Sequence, residues 1–211
     1  MEHKVTRSTY LAQVVSRFTN PSILSVVILL LIAYTESSNV RELVGWVAII
    51  LLFFVLIPVV YVYVRTSRSG SRVKSVVELT IFLKQHPRDI LILAIFLGLP
   101  CLAILWFLKA PTPLISTLVA LIASSTVTAL FNLFYRVSFH LTGITILVVM
   151  AAQAWGQVFL VFLVAIPLIA WAKYQIHEHT IPQLLMGIAV AVVVSLATLY
   201  LFGRLELLLS I

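Results

Sequence analysis

Two polar turns in the last third of the chain carry the residues best suited to chemistry. They have the sequences YRVSFHLTG, at 135–143, and WAKYQIHEHTIPQ, at 171–183. Each turn precedes an apolar stretch of helix length, so His140 and His179 fall close to predicted helix starts. Backbone amides at two helix starts, together with the cations Arg136 and Lys173, favour an anion. The combination is typical of a phosphate site.

The local sequence around both histidines predicts how the helices begin. Ser138 is a suitable N-cap for the helix after the first turn. In the second turn, the stretch from Thr180 to Gln183 has the form of a T-x-x-Q capping box with proline in the first helical turn. His177 and His179 are separated by one residue and cannot share a helical face, so we predict no metal site.

The order Ser138-x-His140, followed by Lys173-x5-His179-x3-Gln183, resembles two motifs of the type 2 phosphatidic acid phosphatases. These are membrane lipid phosphatases related to the vanadium haloperoxidases, and their second and third motifs are usually written P-S-G-H and S-R-x5-H-x3-D. The resemblance is partial and covers about the last 80 residues of the chain. It implies that His179 is the nucleophile and His140 the general acid. Ser138 matches the motif serine, and Lys173 stands where the family has a phosphate-binding arginine.

Besides Lys173, the chain departs from the second and third family motifs at four positions, which are occupied by Val137, Phe139, Ala172 and Gln183. Gln183 matters most, because it replaces the aspartate that orients and charges the nucleophile. A glutamine carbonyl can fix the tautomer of an imidazole, but it cannot stabilise imidazolium as a carboxylate does. The resemblance therefore implies a hydrolase of low or altered activity, or a chain that binds lipid phosphate without hydrolysing it.

The first family motif, K-x6-R-P, is not present as such. We expect Arg136 to supply the missing cation, because it opens the same turn as His140. Lys84 and Arg88, which lie on the same predicted side of the membrane, are the alternatives.

The composition defines the elements that must position these residues. Of 211 residues, 62% are apolar and 10% are charged, which excludes a water-soluble globular domain. Because backbone groups in lipid must bond to one another, each long apolar stretch predicts a membrane-spanning helix. The predicted spans are 18–34, 43–64, 90–108, 113–135, 139–154, 157–172 and 182–203. The fifth and sixth are short, so the count is six to seven.

The predicted fold is therefore an all-α integral membrane protein, a polytopic helix bundle forming one domain over 1–211. Residues 1–89 hold the N-terminal spans and a basic loop, and residues 90–211 hold the phosphatase-like core. No acidic or basic residue lies in the middle of a span, which disfavours a proton-coupled transporter.

Lysine and arginine are distributed unevenly between the two predicted sides. Three lie on one side, and the other holds Lys4, Arg7, Arg17, Arg65, Arg68, Arg72, Lys74, Lys84, Arg88, Arg136 and Lys173. By the positive-inside rule, the basic side, with the N-terminus and the two polar turns, faces the cytoplasm. We expect the membrane to be a prokaryotic cell membrane.

These features together predict a membrane phosphatase that hydrolyses a lipid phosphate or an isoprenoid (polyprenyl) diphosphate through a histidine nucleophile. A catalytically impaired lipid-phosphate-binding or scaffold protein is the alternative, and a transporter is a third, weaker reading. The expected partners are membrane lipids, with no nucleic acid, no cofactor and no metal. The lipid tail would stay in the bilayer while the headgroup enters at the membrane surface.

Overall fold

A computed structural model describes residues 7–67 and 87–206, which form helices joined by short turns, with no strand among them. The all-α prediction is confirmed, since the chain folds as a bundle of apolar helices suited to a membrane. In chain order the helices are α1 (Arg7–Phe18), α2 (Pro21–Glu36), α3 (Val40–Thr66), α4 (Arg88–Phe107), α5 (Thr112–Phe131), α6 (Phe139–Trp155), α7 (Gln157–Gln175) and α8 (Ile181–Leu201).

Five of the described helices are long and apolar enough to cross a membrane on their own, namely α3, α4, α5, α7 and α8. The helices α2 and α6 are shorter, at 16 and 17 residues. Together, α1 and α2 form a pair bent by 42°, which would make a sixth span. Pro21 opens α2 after the bend, and Asn20 caps it by accepting from the Ser22 amide at 3.1 Å. The count of seven spans stays a prediction.

Proline shapes three of the long helices. Two contain a five-residue π-helical turn, Leu52–Leu56 in α3 and Ala94–Gly98 in α4, and α7 begins with a 3₁₀ stretch, Gln157–Val164. Each irregular stretch ends two or three residues before a proline, at Pro58, Pro100 or Pro167. Proline removes a backbone donor, and a local change in helix type lets neighbouring groups find other partners inside lipid.

The helix α6 lies at the centre of the bundle. It contacts α2, α5, α7 and α8, and most of its side chains are buried. The helix α5 packs against both α6 and α8, and α1 packs along α7. The first turn of α6 carries His140, so the bundle positions that histidine through its most enclosed element.

The starts of α6 and α8 and the ends of α1 and α7 meet at one end of the bundle. The Ser138 amide donates to the Gln183 carbonyl at 3.3 Å, and a Cβ on Gly187 would lie 2.8 Å from the Ser138 carbonyl oxygen. Only glycine permits this approach of α8 to α6. We call this end, with Ser16, His140, Lys173, Glu178, His179 and Gln183, the polar end.

At the opposite end of the bundle, the end of α6 contacts the end of α2 and the start of α5. The Trp155 indole donates to the Thr35 hydroxyl at 3.0 Å, and the Ser116 hydroxyl donates to Gln153 Oε1 at 2.9 Å. Helices α2 to α8 therefore run alternately between the two ends.

Candidate functional site

His179 is held by the first turn of the helix that follows it. Its Nδ1 lies 3.2 Å from Gln183 Oε1, and the same oxygen accepts from the Thr180 amide at 3.1 Å. The predicted capping box is confirmed. Because a backbone amide can only donate, the Gln183 atom facing it is the oxygen. Nδ1 of His179 must then carry the proton that this oxygen accepts, and in the neutral imidazole the lone pair is on Nε2.

His140 is held by a different helix. Only 3% of its surface is exposed, and its Nε2 lies 3.1 Å from the backbone carbonyl oxygen of Ser16, at the end of α1. A carbonyl can only accept, so Nε2 donates and carries a proton. His140 thus presents a proton at the same ring position at which His179 presents a lone pair.

Lys173 is completely buried, and its ammonium has two close oxygen partners. It donates to the Ser16 hydroxyl at 2.6 Å and to Glu178 Oε2 at 2.7 Å. A buried ammonium is costly unless it is paired and hydrogen-bonded, and these two contacts offset that cost. The Glu178 side chain is 43% exposed, so a buried ammonium is paired with a carboxylate that lies at the protein surface.

The turn after α7 brings Glu178 back to Lys173. His177 adopts a left-handed conformation, with φ of 55°, and its Nδ1 donates to the Gln175 carbonyl at 3.1 Å. Histidine is one of the few residues other than glycine that is enriched in this region. The Glu178 amide then donates to the Lys173 carbonyl at 3.2 Å. His177 therefore has a conformational role in the turn.

Ser16 joins two of the predicted site residues. Its carbonyl accepts from His140 and its hydroxyl accepts from Lys173, so the structure brings both residues to one serine near the end of α1. His179 lies just before α8 and Gln183 in its first turn, which the Ser138 amide ties to α6.

In the described part of the chain, the side chains of the remaining predicted residues make no hydrogen bond or ion pair with the two candidate histidines or with Lys173. Ser138 is buried and caps α6, with its hydroxyl accepting from the Leu141 amide at 3.4 Å. The predicted N-cap is therefore confirmed. Arg136 and Arg88 are exposed, and neither has a hydrogen bond or ion pair within the described ranges 7–67 and 87–206. Lys84 lies outside the described residues.

The sequence does not reveal the roles of Ser16 and Glu178. Ser16 precedes His140 by 124 residues, and no motif connects them. Glu178 follows Lys173 by five residues, across a turn that a left-handed His177 makes possible. The unusual spacing of an acid five residues after a lysine, with a histidine between them, is the only sequence feature that could have suggested the pair.

The geometry of the polar end has the parts of a phosphoryl-transfer site. An imidazole with a lone pair on Nε2, an imidazole that carries a proton on Nε2, and a buried ammonium all lie at the same end of the bundle. Within the part of the chain that the structure describes, no three His, Cys, Asp or Glu side chains are grouped to hold a metal ion. No protein-family model matches the chain, and no curated protein or solved structure does.

Proposed function

We propose that this chain is a membrane hydrolase of the lipid-phosphatase type that acts on a lipid phosphate or an isoprenoid diphosphate. One observation carries the proposal: Gln183 fixes the proton of His179 on Nδ1 and leaves the lone pair on Nε2. An imidazole oriented in this way is a competent nucleophile toward phosphorus. Its position at a helix start adds backbone amides that stabilise an anion.

The proposed reaction proceeds in two steps. His179 Nε2 attacks phosphorus, the bond from phosphorus to the leaving oxygen breaks, and His140, acting as imidazolium, transfers its Nε2 proton to that oxygen and becomes neutral. Water then hydrolyses the phosphohistidine, releasing inorganic phosphate and restoring His179, while the proton lost by the water returns to His140. Lys173 and the amides at the start of α8 stabilise the charge on the phosphoryl oxygens.

A second candidate is a protein that binds a lipid phosphate without hydrolysing it. The observation that favours it is the complete burial of Lys173, whose ammonium already donates to Ser16 and Glu178. A phosphate can contact this ammonium only after the groups that cover it move. In this candidate, the absence of a carboxylate at Gln183 leaves the imidazolium without the stabilisation that turnover needs.

The proposed topology has seven spans, α2 to α8, with the polar end in the cytoplasm and the C-terminus outside. It rests on the eleven basic residues predicted for that side, against three for the other. Replacing Gly70 by cysteine in a Cys101→Ala background tests it in intact cells. We expect a membrane-permeant maleimide to label this cysteine and an impermeant one not to. Labelling by the impermeant reagent would show the opposite orientation.

The enzymatic proposal is tested by phosphate release from a lipid phosphate or isoprenoid diphosphate in detergent micelles. We expect His179→Ala to lower release by about three orders of magnitude or more, because the phosphohistidine cannot form. His177→Asn is the matched control. It removes an imidazole two residues away but keeps a side chain that tolerates the left-handed turn, and it should retain release.

The outcomes separate the two candidates. Release that survives in His179→Ala would require a different nucleophile. Absence of release from the wild-type protein, together with saturable binding of the same lipids, would support the non-catalytic candidate.

A further inference from the structure

A cavity of about 270 Å³ lies beneath the polar end, between α2, α3, α4, α5 and α6. Its walls are mainly apolar, with Pro21 at the start of α2 and Phe139 and Gly143 at the start of α6. Three hydroxyl-bearing residues of α5 also line the cavity, Ser124, Ser125 and Thr128. Mostly apolar pockets with a few polar groups are typical of sites for small organic ligands.

Thr128 is the unusual member of this wall. It is completely buried, yet its Oγ1 has no hydrogen-bond partner within the residues that the structure describes. Its neighbour Ser124 is also buried but donates to the Leu121 carbonyl at 3.1 Å. A hydroxyl that is removed from water without a partner destabilises a fold, so a buried hydroxyl of this kind beside a cavity is suited to donate to an acceptor bound there.

The depth of Thr128 constrains what that acceptor is. Thr128 lies one helical turn before Asn132, whose side chain donates to the Thr128 carbonyl at 2.8 Å as α5 ends. One turn is about 5 Å, so the hydroxyl lies just beneath the surface at which α6 and α8 begin. With the polar end at the membrane surface, as the proposed function requires, the ester or amide carbonyls of acyl lipids lie at this depth, between the headgroup and the chains. Isoprenoid chains carry no such group.

We propose that this cavity binds the carbonyl-bearing segment of an acyl lipid phosphate, with the Thr128 hydroxyl donating to an ester or amide oxygen. The assignment of a phosphate headgroup rests on the proposed function, whereas the assignment of a carbonyl rests on Thr128 and the cavity. The apolar walls then hold the first methylene groups of the chain. The site selects acyl lipids over isoprenoid phosphates of similar size.

Equilibrium binding of two phosphonate lipids to the full chain in detergent tests the proposal. One lipid has ester-linked chains, the other has ether-linked chains of the same length, and the carbon–phosphorus bond resists hydrolysis. We expect the wild-type protein to bind the ester about fivefold more tightly, the effect of one hydrogen bond to a neutral acceptor. Thr128→Val should abolish the preference, and Thr128→Ser, which keeps the hydroxyl, should retain it.

Thr117→Val is the matched control. Thr117 is also on α5, is also completely buried and has an Oγ1 without a hydrogen-bond partner in the described part of the chain, but it does not line the cavity. Its replacement should leave the preference for the ester unchanged. A preference that disappears in both valine variants would reflect a general change in α5 and would overturn the assignment.

Three further results would overturn the proposal. They are equal affinity of the wild-type protein for the ester and the ether, as expected if water satisfies Thr128; no binding of either lipid; and equal or tighter binding of an isoprenoid phosphonate. Phosphate release from an ordinary acyl lipid phosphate is measured separately. Ester preference without release would refute the hydrolase alone, and release without ester preference would refute the Thr128 site alone.

Discussion

The two candidate catalytic histidines are held in opposite ways. His179 is bonded to a residue of its own helix start, four positions along the chain. His140 is buried in the most enclosed helix and bonded to the backbone of α1, 124 positions earlier. The first arrangement keeps a lone pair on Nε2 and the second keeps a proton there. The local environment thus assigns base-like and acid-like roles to two identical side chains.

The two histidines also differ in how easily a phosphate headgroup can reach them. His179 is partly exposed, so a headgroup at the surface can reach it. His140 and Lys173 are covered by Ser16, which a phosphate must displace. If His179 is the nucleophile and His140 the acid, as proposed, this difference in exposure predicts that changes at the two histidines have different consequences for different substrates.

After His179→Ala, the largest effect is expected from His140→Gln. The glutamine amide can still donate to the Ser16 carbonyl, so the fold should be retained, but it cannot transfer a proton. We expect phosphate release from a lipid phosphate to fall about 100-fold, the contribution typical of a general acid. The measurement is the rate of release at saturating lipid, with the unfolding temperature as a check on the fold.

A substrate with a good leaving group sharpens this prediction. An aryl phosphate departs without needing a proton, so the loss caused by His140→Gln should become much smaller with it. An equal loss with both substrates would show that His140 positions the site and does not act as an acid.

The next largest effect is expected from Gly187→Ala, which forces apart the two helices that carry the histidines. The new Cβ would lie 2.8 Å from the Ser138 carbonyl oxygen, and backbone cannot move aside cheaply. We expect the free energy of unfolding to fall by about 1–3 kcal/mol. In Gly45→Ala, on α3, no atom lies within 4 Å of the new Cβ, so that variant should be neutral or slightly stabilising. Denaturation in detergent measures both.

Much of the fold follows from local sequence. The apolar stretches predict the helices to within a few residues, as for 90–108 against Arg88–Phe107, and the caps at Ser138 and Thr180 occur where they are predicted. These features depend on hydropathy and on contacts within four residues. They can therefore be predicted from the sequence without knowledge of how the helices pack.

What the sequence does not predict depends on packing between distant segments. The helix α1 lies in a polar and mixed segment, so neither its packing along α7 nor the placement of Ser16 between His140 and Lys173 follows from hydropathy. The expected contribution of Arg136 rests on its nearness in sequence to His140, and its exposed position in the structure leaves that role a prediction. The burial of the Thr128 hydroxyl without a hydrogen-bond partner in the described residues also depends on how α5 packs, so the sequence does not predict it.

The smallest effect is expected at Gln183, whose Oε1 serves both His179 and the Thr180 amide. Gln183→Glu keeps the length of the side chain and the capping box, and it adds a charge beside His179. A carboxylate stabilises the positive charge that the His179 ring gains as Nε2 bonds to phosphorus, so we expect turnover to rise about tenfold, equivalent to about 1.4 kcal/mol. Gln183→Asp should raise it less, because the shorter side chain cannot reach both donors as well.

The same substitutions test whether Gln183 has any role beyond capping. Glutamate and aspartate are both favourable in the first turn of a helix, so neither variant should lower the unfolding temperature much. If Gln183 only caps α8, Gln183→Glu will leave the rate of phosphate release unchanged. A rise in turnover that disappears when His179→Ala is added would instead couple the new charge to the imidazole. Additive effects of the two substitutions would contradict that coupling, because residues that act as one unit give non-additive losses.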